Sequence, residues 1–220
     1  MSHIHQTDRF LLAFIVVVLV ATVAIYIWDT DYFTFSFAAE DHVVEYGTAL
    51  ALLMASFILL KNAFAMKGRA TKLAIGLTCF YALLFFFGAG EEVSWGQRIF
   101  GWETSEAMKE INRQDETTIH NIEIGGVALT KHLFGPVLTL TILLYLLVLP
   151  LLYPRIGFIK CLADRFAVPV PGLRHAALAL IASVIIASID VDRKWEVYEL
   201  IFGLLVMSIF LFPQNSDQTT

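Results

Sequence analysis

FLLAFIVVVLVATVAIYIW, Phe10 to Trp28, is a run of nineteen residues without a charge. As helix it is long enough to cross the hydrocarbon core of a bilayer, which takes about 20 residues. It is too long for the apolar region of a signal peptide, about 7–15 residues, so it reads as a retained helix. Five further apolar runs follow it. The chain is 58% hydrophobic, above the roughly 45–50% of soluble domains, and the excess sits in these blocks. The fold class expected is therefore all-α: a polytopic membrane protein with six transmembrane helices at about 10–28, 42–60, 73–92, 133–152, 175–191 and 195–212. A short amphipathic segment lies outside the membrane between the third and fourth. Residues 1–212 form one domain, and the polar residues 213–220 read as a disordered cytoplasmic tail.

Basic residues set the expected orientation. The loop 61–72 carries Lys61, Lys67, Arg69 and Lys72, and the loop 153–174 carries Arg155, Lys160, Arg165 and Arg174. Six spans put both loops on one face together with Arg9. That face should be cytoplasmic, with both termini, in a cell (inner or plasma) membrane. The four tryptophans then fall near the outer boundary. Of the twenty acidic residues, all but Asp8, Asp164 and Asp217 fall on the outer side. The orientation rule counts Lys and Arg rather than net charge, so the acidic face needs its own cause.

Depth supplies one. Counting spans from their inner ends places Glu45 inside helix two, Glu91 and Glu92 at the outer end of helix three, and Glu196 and Glu199 inside helix six. Glu199 comes out roughly 9 Å below the outer end at about 1.5 Å per residue. A charge at the centre of a span costs about 2.5–3.5 kcal/mol and less near the interface. Three helices carrying acids at similar depth point to one shared, wet pocket.

The segment after helix three is too polar to continue the span and too aromatic for an ordinary loop. Trp95, Ile99, Phe100 and Trp102 suit a membrane surface, and Glu91, Trp95 and Arg98 would share a helical side. Thr104-Ser105-Glu106 reads as a helix start. Amides, acids and a histidine then crowd residues 112–121. Glu116 and His120, at i and i+4, suit one metal ion on a helix. The candidate site follows: Glu91, Glu92 and His120 as catalytic groups; Trp95, Gln97, Arg98, Asn112, Gln114 and Asn121 around a substrate head group, with Arg98 suited to phosphate; and Glu45, Glu92, Glu116, His120, Glu196 and Glu199 as ligands of a divalent metal. His132 and His175 read as helix-end residues. Cys79 and Cys161 are far apart and read as free thiols. No soluble catalytic signature and no basic surface for nucleic acid is present.

The run Glu91-Glu92-Val93-Ser94-Trp95-Gly96-Gln97-Arg98, with Asn112-x-Gln114-x-Glu116 and His120-Asn121, resembles a pattern in uncharacterised bacterial multi-pass membrane proteins. The approach to helix two, Asp41 to Glu45, is similar to the same pattern. The resemblance implies a shared site without naming its chemistry. The leading expectation is a membrane-embedded, metal-dependent enzyme acting on a lipid-linked or periplasmic substrate, with the lipid bilayer as its surroundings. An ion-coupled transporter and a non-enzymatic assembly or signalling subunit are the alternatives.

Overall fold

The computed structural model describes residues 2–119, 121–124, 127–128 and 135–220. Among these, six long helices carry the fold: α1 (Ser2–Trp28), α2 (Val43–Ala65), α3 (Lys72–Glu92), α4 (Gly135–Leu152), α5 (Leu173–Ser188) and α6 (Lys194–Leu211). Short helical turns and a two-residue antiparallel ladder, Glu123–Ile124 with Val127–Ala128, fill the connections. Helices α1 to α4 are long and apolar enough to cross a membrane. Sixteen residues of α5 span about 24 Å, short of a core of about 30 Å. Lys194, Glu196 and Glu199 set α6 apart in composition.

Contacts at the two ends of the bundle show that successive helices alternate in direction. At the basic end, Asn62 Nδ2 of α2 donates to the Phe210 carbonyl of α6 at 2.8 Å. The Tyr145 hydroxyl of α4 donates to the carbonyl of Pro169, just before α5, at 2.7 Å. At the acidic end, Arg193 before α6 pairs with Glu40 before α2 at 2.8 Å. There too the Asp190 N–H donates to the Tyr26 hydroxyl of α1.

Helix α6 is the axis of the core. Val197, Ile201, Leu205, Val206 and Ile209 are each at most 1% exposed, packed against α1, α2 and α5. Its approach to α2 depends on small residues: a Cβ added at Gly203 would stand 2.9 Å from the Cβ of Ala51, and one at Gly47 would stand 3.2 Å from Leu200. Gly47, Ala51 and Ala55 repeat every four residues and so share a face of α2. A helix enclosed by protein rather than lipid is the one best able to carry carboxylates, because its neighbours can meet them. Helix α4 has a widened turn over Leu144–Val148. It precedes Pro150, whose ring and missing N–H disturb the regular ladder.

One reading of the sequence changes here and one is filled out. The last eight residues are not a free tail. Asn215 accepts from the Val170 N–H at 3.0 Å and donates to Val168, and Gln214 donates to the Pro171 carbonyl at 2.6 Å. Polar composition, the basis for expecting disorder, also suits a segment that satisfies the exposed backbone after Ala167. His175 is a helix-end residue as expected, in the first turn of α5, but it is also fully buried. Its Nδ1 accepts from the Gly172 N–H at 2.9 Å, so Nε2 carries the proton and donates to Ser208 Oγ at 2.9 Å. The Ser208 hydroxyl in turn donates to Asp8 at 2.5 Å, and Arg174 holds the same carboxylate at 3.0 Å. The serine proton points at the carboxylate and not at the imidazole. The cluster therefore pins α1, α5 and α6 together and does not form a nucleophile with its base.

Candidate functional site

At the acidic end, α3 finishes at Glu92 and the chain reverses its hand. Ser94, Trp95 and Gly96 have φ of 46°, 54° and 82°. Left-handed conformation costs roughly 1–2 kcal/mol for a non-glycine residue, so Ser94 and Trp95 must be held. The Trp95 indole N–H donates to Glu91 at 2.8 Å. Its ring lies 5.3 Å from that of Phe87, over Gly90, where an added Cβ would be 2.9 Å away. Ser94 Oγ donates to Glu116 at 3.2 Å. The segment is thus no continuous amphipathic helix. Ile99, Phe100 and Trp102 are nonetheless exposed.

The reversed turn aims Gln97 and Arg98 at the segment 112–121. Gln97 Oε1 accepts from the Thr117 N–H at 2.8 Å. Arg98 donates to Asp41 at 2.7 Å and to Glu116, and lies 3.8 Å from Glu40. Asn112 is the hub of the segment. Its Oδ1 accepts from the N–H groups of Gln114 and Glu116 at 2.9 and 3.2 Å, while Nδ2 donates to the Thr118 carbonyl at 2.8 Å. Asn121 donates to Gln114 and to Glu116. The helix start expected at Thr104-Ser105-Glu106 is present as a short helix, Glu106–Lys109, but Ser105 is its N-cap, and Thr104 donates to the Asp115 carbonyl at 2.7 Å. Two further left-handed residues, Asp41 at 58° and Asp115 at 56°, belong to the same assembly.

These bonds change the roles expected from the sequence. Glu91 is buried, accepting from Trp95 and from the Ile119 N–H at 2.7 Å; it clamps the turn. Trp95, Gln97, Asn112, Gln114 and Asn121, expected around a head group, bond to the protein itself. Arg98 faces three carboxylates, which leaves it little attraction for phosphate. Spacing shows that such groups are near one another in sequence but not that they satisfy one another.

The helix carboxylates behave differently. Glu45, Glu92, Glu196 and Glu199, from α2, α3 and α6, lie within electrostatic range of one another. Glu199 is exposed, and Glu45, Glu92 and Glu196 are half-buried. Arg193 stands beside them, 3.5 Å from Glu196. The six ligands expected for a metal therefore divide. Four share this cluster, Glu116 belongs to the Arg98 network, and His120 lies outside the described residues. Among the described residues no three His, Cys, Asp or Glu side chains are grouped closely enough to hold one ion.

Glu40 joins the two arginines. Burial pushes its carboxyl up, but the Arg193 hydrogen bond and the charges of Arg193 and Arg98 outweigh it and hold the group below the usual value of 4.5. Folding thus favours the ionised form. The stabilisation is present above that value and is lost as pH falls through the lowered one. With the side chain 36% exposed, it amounts to less than about 1 kcal/mol. Thermal unfolding from pH 7 to pH 3 should show the Glu40→Gln variant losing a small part of the acid-side decline. Superimposable wild-type and variant curves, after a constant offset, would contradict this.

Compared with family models, with curated proteins and with solved structures, the chain matches none.

Proposed function

We propose that this chain is a six-span protein of the inner or plasma membrane with both termini cytoplasmic. Its cleft, open to the outer face, binds a divalent cation through Glu45, Glu92, Glu196 and Glu199 and acts as a membrane-embedded enzyme on a lipid-linked or periplasmic substrate. The basic loops gathered at one end of the bundle support the orientation. Helices α5 and α6 count as spans because each reverses the direction of the helix before it, α5 packing beside α4 and α6 against α1 and α2, with protein rather than lipid around α6.

The observation that carries the reading is the clustering of acids: four carboxylates from three helices lie within electrostatic range of one another. Like charges so placed repel, and a cation among them relieves the repulsion. Oxygen ligands suit hard cations, and small movements of flexible glutamates would close the set. A bound cation would polarise a carbonyl or phosphoryl oxygen of the substrate or activate a water. A carboxylate left unliganded would move the proton. A carrier would need the cleft to continue to the other face. Between Glu199 and Ser208, Ile201, Leu205 and Val206 are closed off by packing, which favours the enzyme.

Metal analysis and calorimetric titration with Mn²⁺ and Zn²⁺ test this on the protein in nanodiscs. Wild type should hold one equivalent. Glu92→Gln and Glu199→Gln should each bind at least tenfold more weakly, and Glu116→Gln, outside the cleft, should bind as wild type does. Equal trace metal in wild type and both cleft variants would end the reading and leave the assembly-subunit alternative.

A further inference from the structure

The basic end of the bundle carries a short helix, Gly157–Arg165, just after α4. Its two faces differ. Ala163 is buried in a cluster with Tyr153 and Val170. Phe158, Cys161 and Arg165, at i, i+3 and i+7, share the opposite face. All three are exposed, Phe158 at 69%. Ile156 and Phe166, at either end of the helix, are exposed as well.

The cations of this segment face outward without acids to meet them. Arg155, Lys160 and Arg165 are exposed. Among the described residues no carboxylate forms an ion pair with any of them. Asp164, on the same helix, accepts from the Tyr153 hydroxyl at 2.9 Å and from Asn215 at 3.1 Å. Asp8 is held by Ser208 and Arg174. Asp217 is the third acid of this end, against the eight Lys and Arg of the two basic loops.

Depth identifies the partner. The Arg155 guanidinium donates to the Leu151 carbonyl at 2.6 Å. Leu151 lies in the last turn of α4, a helix long and apolar enough to cross a membrane. The guanidinium therefore stands where that span ends. Leu140, Leu144, Val148 and Leu151 follow at steps of four and three residues, an exposed apolar stripe down α4. The next large apolar side chains exposed along the chain are Ile156 and Phe158. Exposed apolar groups beside unpaired cations at that depth suit an interfacial helix on an anionic leaflet. An acidic protein would match the charge without accounting for the stripe that leads to it.

We infer that Gly157–Arg165 lies in the head-group layer of the cytoplasmic leaflet and binds anionic phospholipid, with Phe158 among the upper acyl carbons and Arg155, Lys160 and Arg165 at the phosphates. The inference rests on the membrane placement proposed above and not on the cation site.

Bromine quenching tests it on the whole chain in nanodiscs. Cys79 and Cys161 are both exposed. Cys79→Ala leaves Cys161 to carry an NBD fluorophore, and Cys161→Ala leaves Cys79, in α3. The discs hold phosphatidylcholine alone or with an equal part of phosphatidylglycerol, brominated near the glycerol or near the chain end. In anionic discs the Cys161 probe should be quenched at least about twofold more by the shallow bromines than by the deep ones, as for a helix lying in the interface. Phosphatidylcholine alone, or Lys160→Gln with Arg165→Gln, should cut that quenching by at least about half. The Cys79 probe should be quenched in every disc. A quenched Cys79 probe beside a Cys161 probe reached by iodide in the water would overturn the inference, give the face to a protein partner and leave the membrane placement standing. Two unquenched probes would remove both. Equal quenching in the two kinds of disc, or quenching unaffected by the glutamines, would overturn the anionic head group.

Discussion

Arg98→Ala is expected to lower stability by about 1–3 kcal/mol, the cost of leaving the one buried carboxylate of the network, Glu116, without its charged donor. Glu116 is 6% exposed and, among the described residues, keeps the neutral donors Ser94 and Asn121 once the guanidinium is gone. Asp41 and Glu40 lose the same cation. The left-handed turn at Ser94–Gly96 loses the contact that ties its far side to α2. Arg98→Lys should recover only part of the loss, because a single ammonium cannot fork between Asp41 and Glu116 as the guanidinium does. Thermal unfolding in detergent, with proteolysis of residues 97–119 as a local readout, measures both effects. A midpoint for Arg98→Ala within about 1 °C of wild type would refute the role, since even 1 kcal/mol shifts the midpoint by about 2–4 °C in a chain of this size.

Asn112→Ala should be the other large effect. The side chain is 6% exposed and serves two backbone N–H groups and one backbone carbonyl. Each buried group left without a partner costs about 1–3 kcal/mol, and the Glu116 N–H is among them. The loop that presents Glu116 to Arg98 should therefore loosen as a unit. Gln114→Ala, two residues on and exposed, should cost under about 0.5 kcal/mol. Hydrogen exchange of the 112–119 amides would separate the two. Protection retained in Asn112→Ala would argue that the surrounding bonds alone hold the loop.

The apolar runs made the helices legible, because about twenty uncharged residues have few alternatives to a buried helix. The similar depth of Glu45, Glu92, Glu196 and Glu199 was legible as a geometric statement, and the four lie within electrostatic range of one another. The interior of the segment 93–121 was not. A left-handed turn built on serine and tryptophan contradicts local propensity and exists only because Glu91, Gly90 and Glu116 hold it. Arg98 meets Asp41 across 57 residues, and Ser208 meets Asp8 across 200. No local pattern encodes such partners. Motif reading thus gave the amides to a ligand when the protein spends them on itself.

The most enclosed helix is also the one translated after the other five. Until α6 leaves the ribosome, α1, α2 and α5 surround an unfilled trough. Ala51 has no Gly203 to meet, Asp8 no Ser208, and Asn62 no Phe210 carbonyl. A chain stopped before residue 194 would therefore keep the other helices but lack the one that fills the space between them and meets their polar groups.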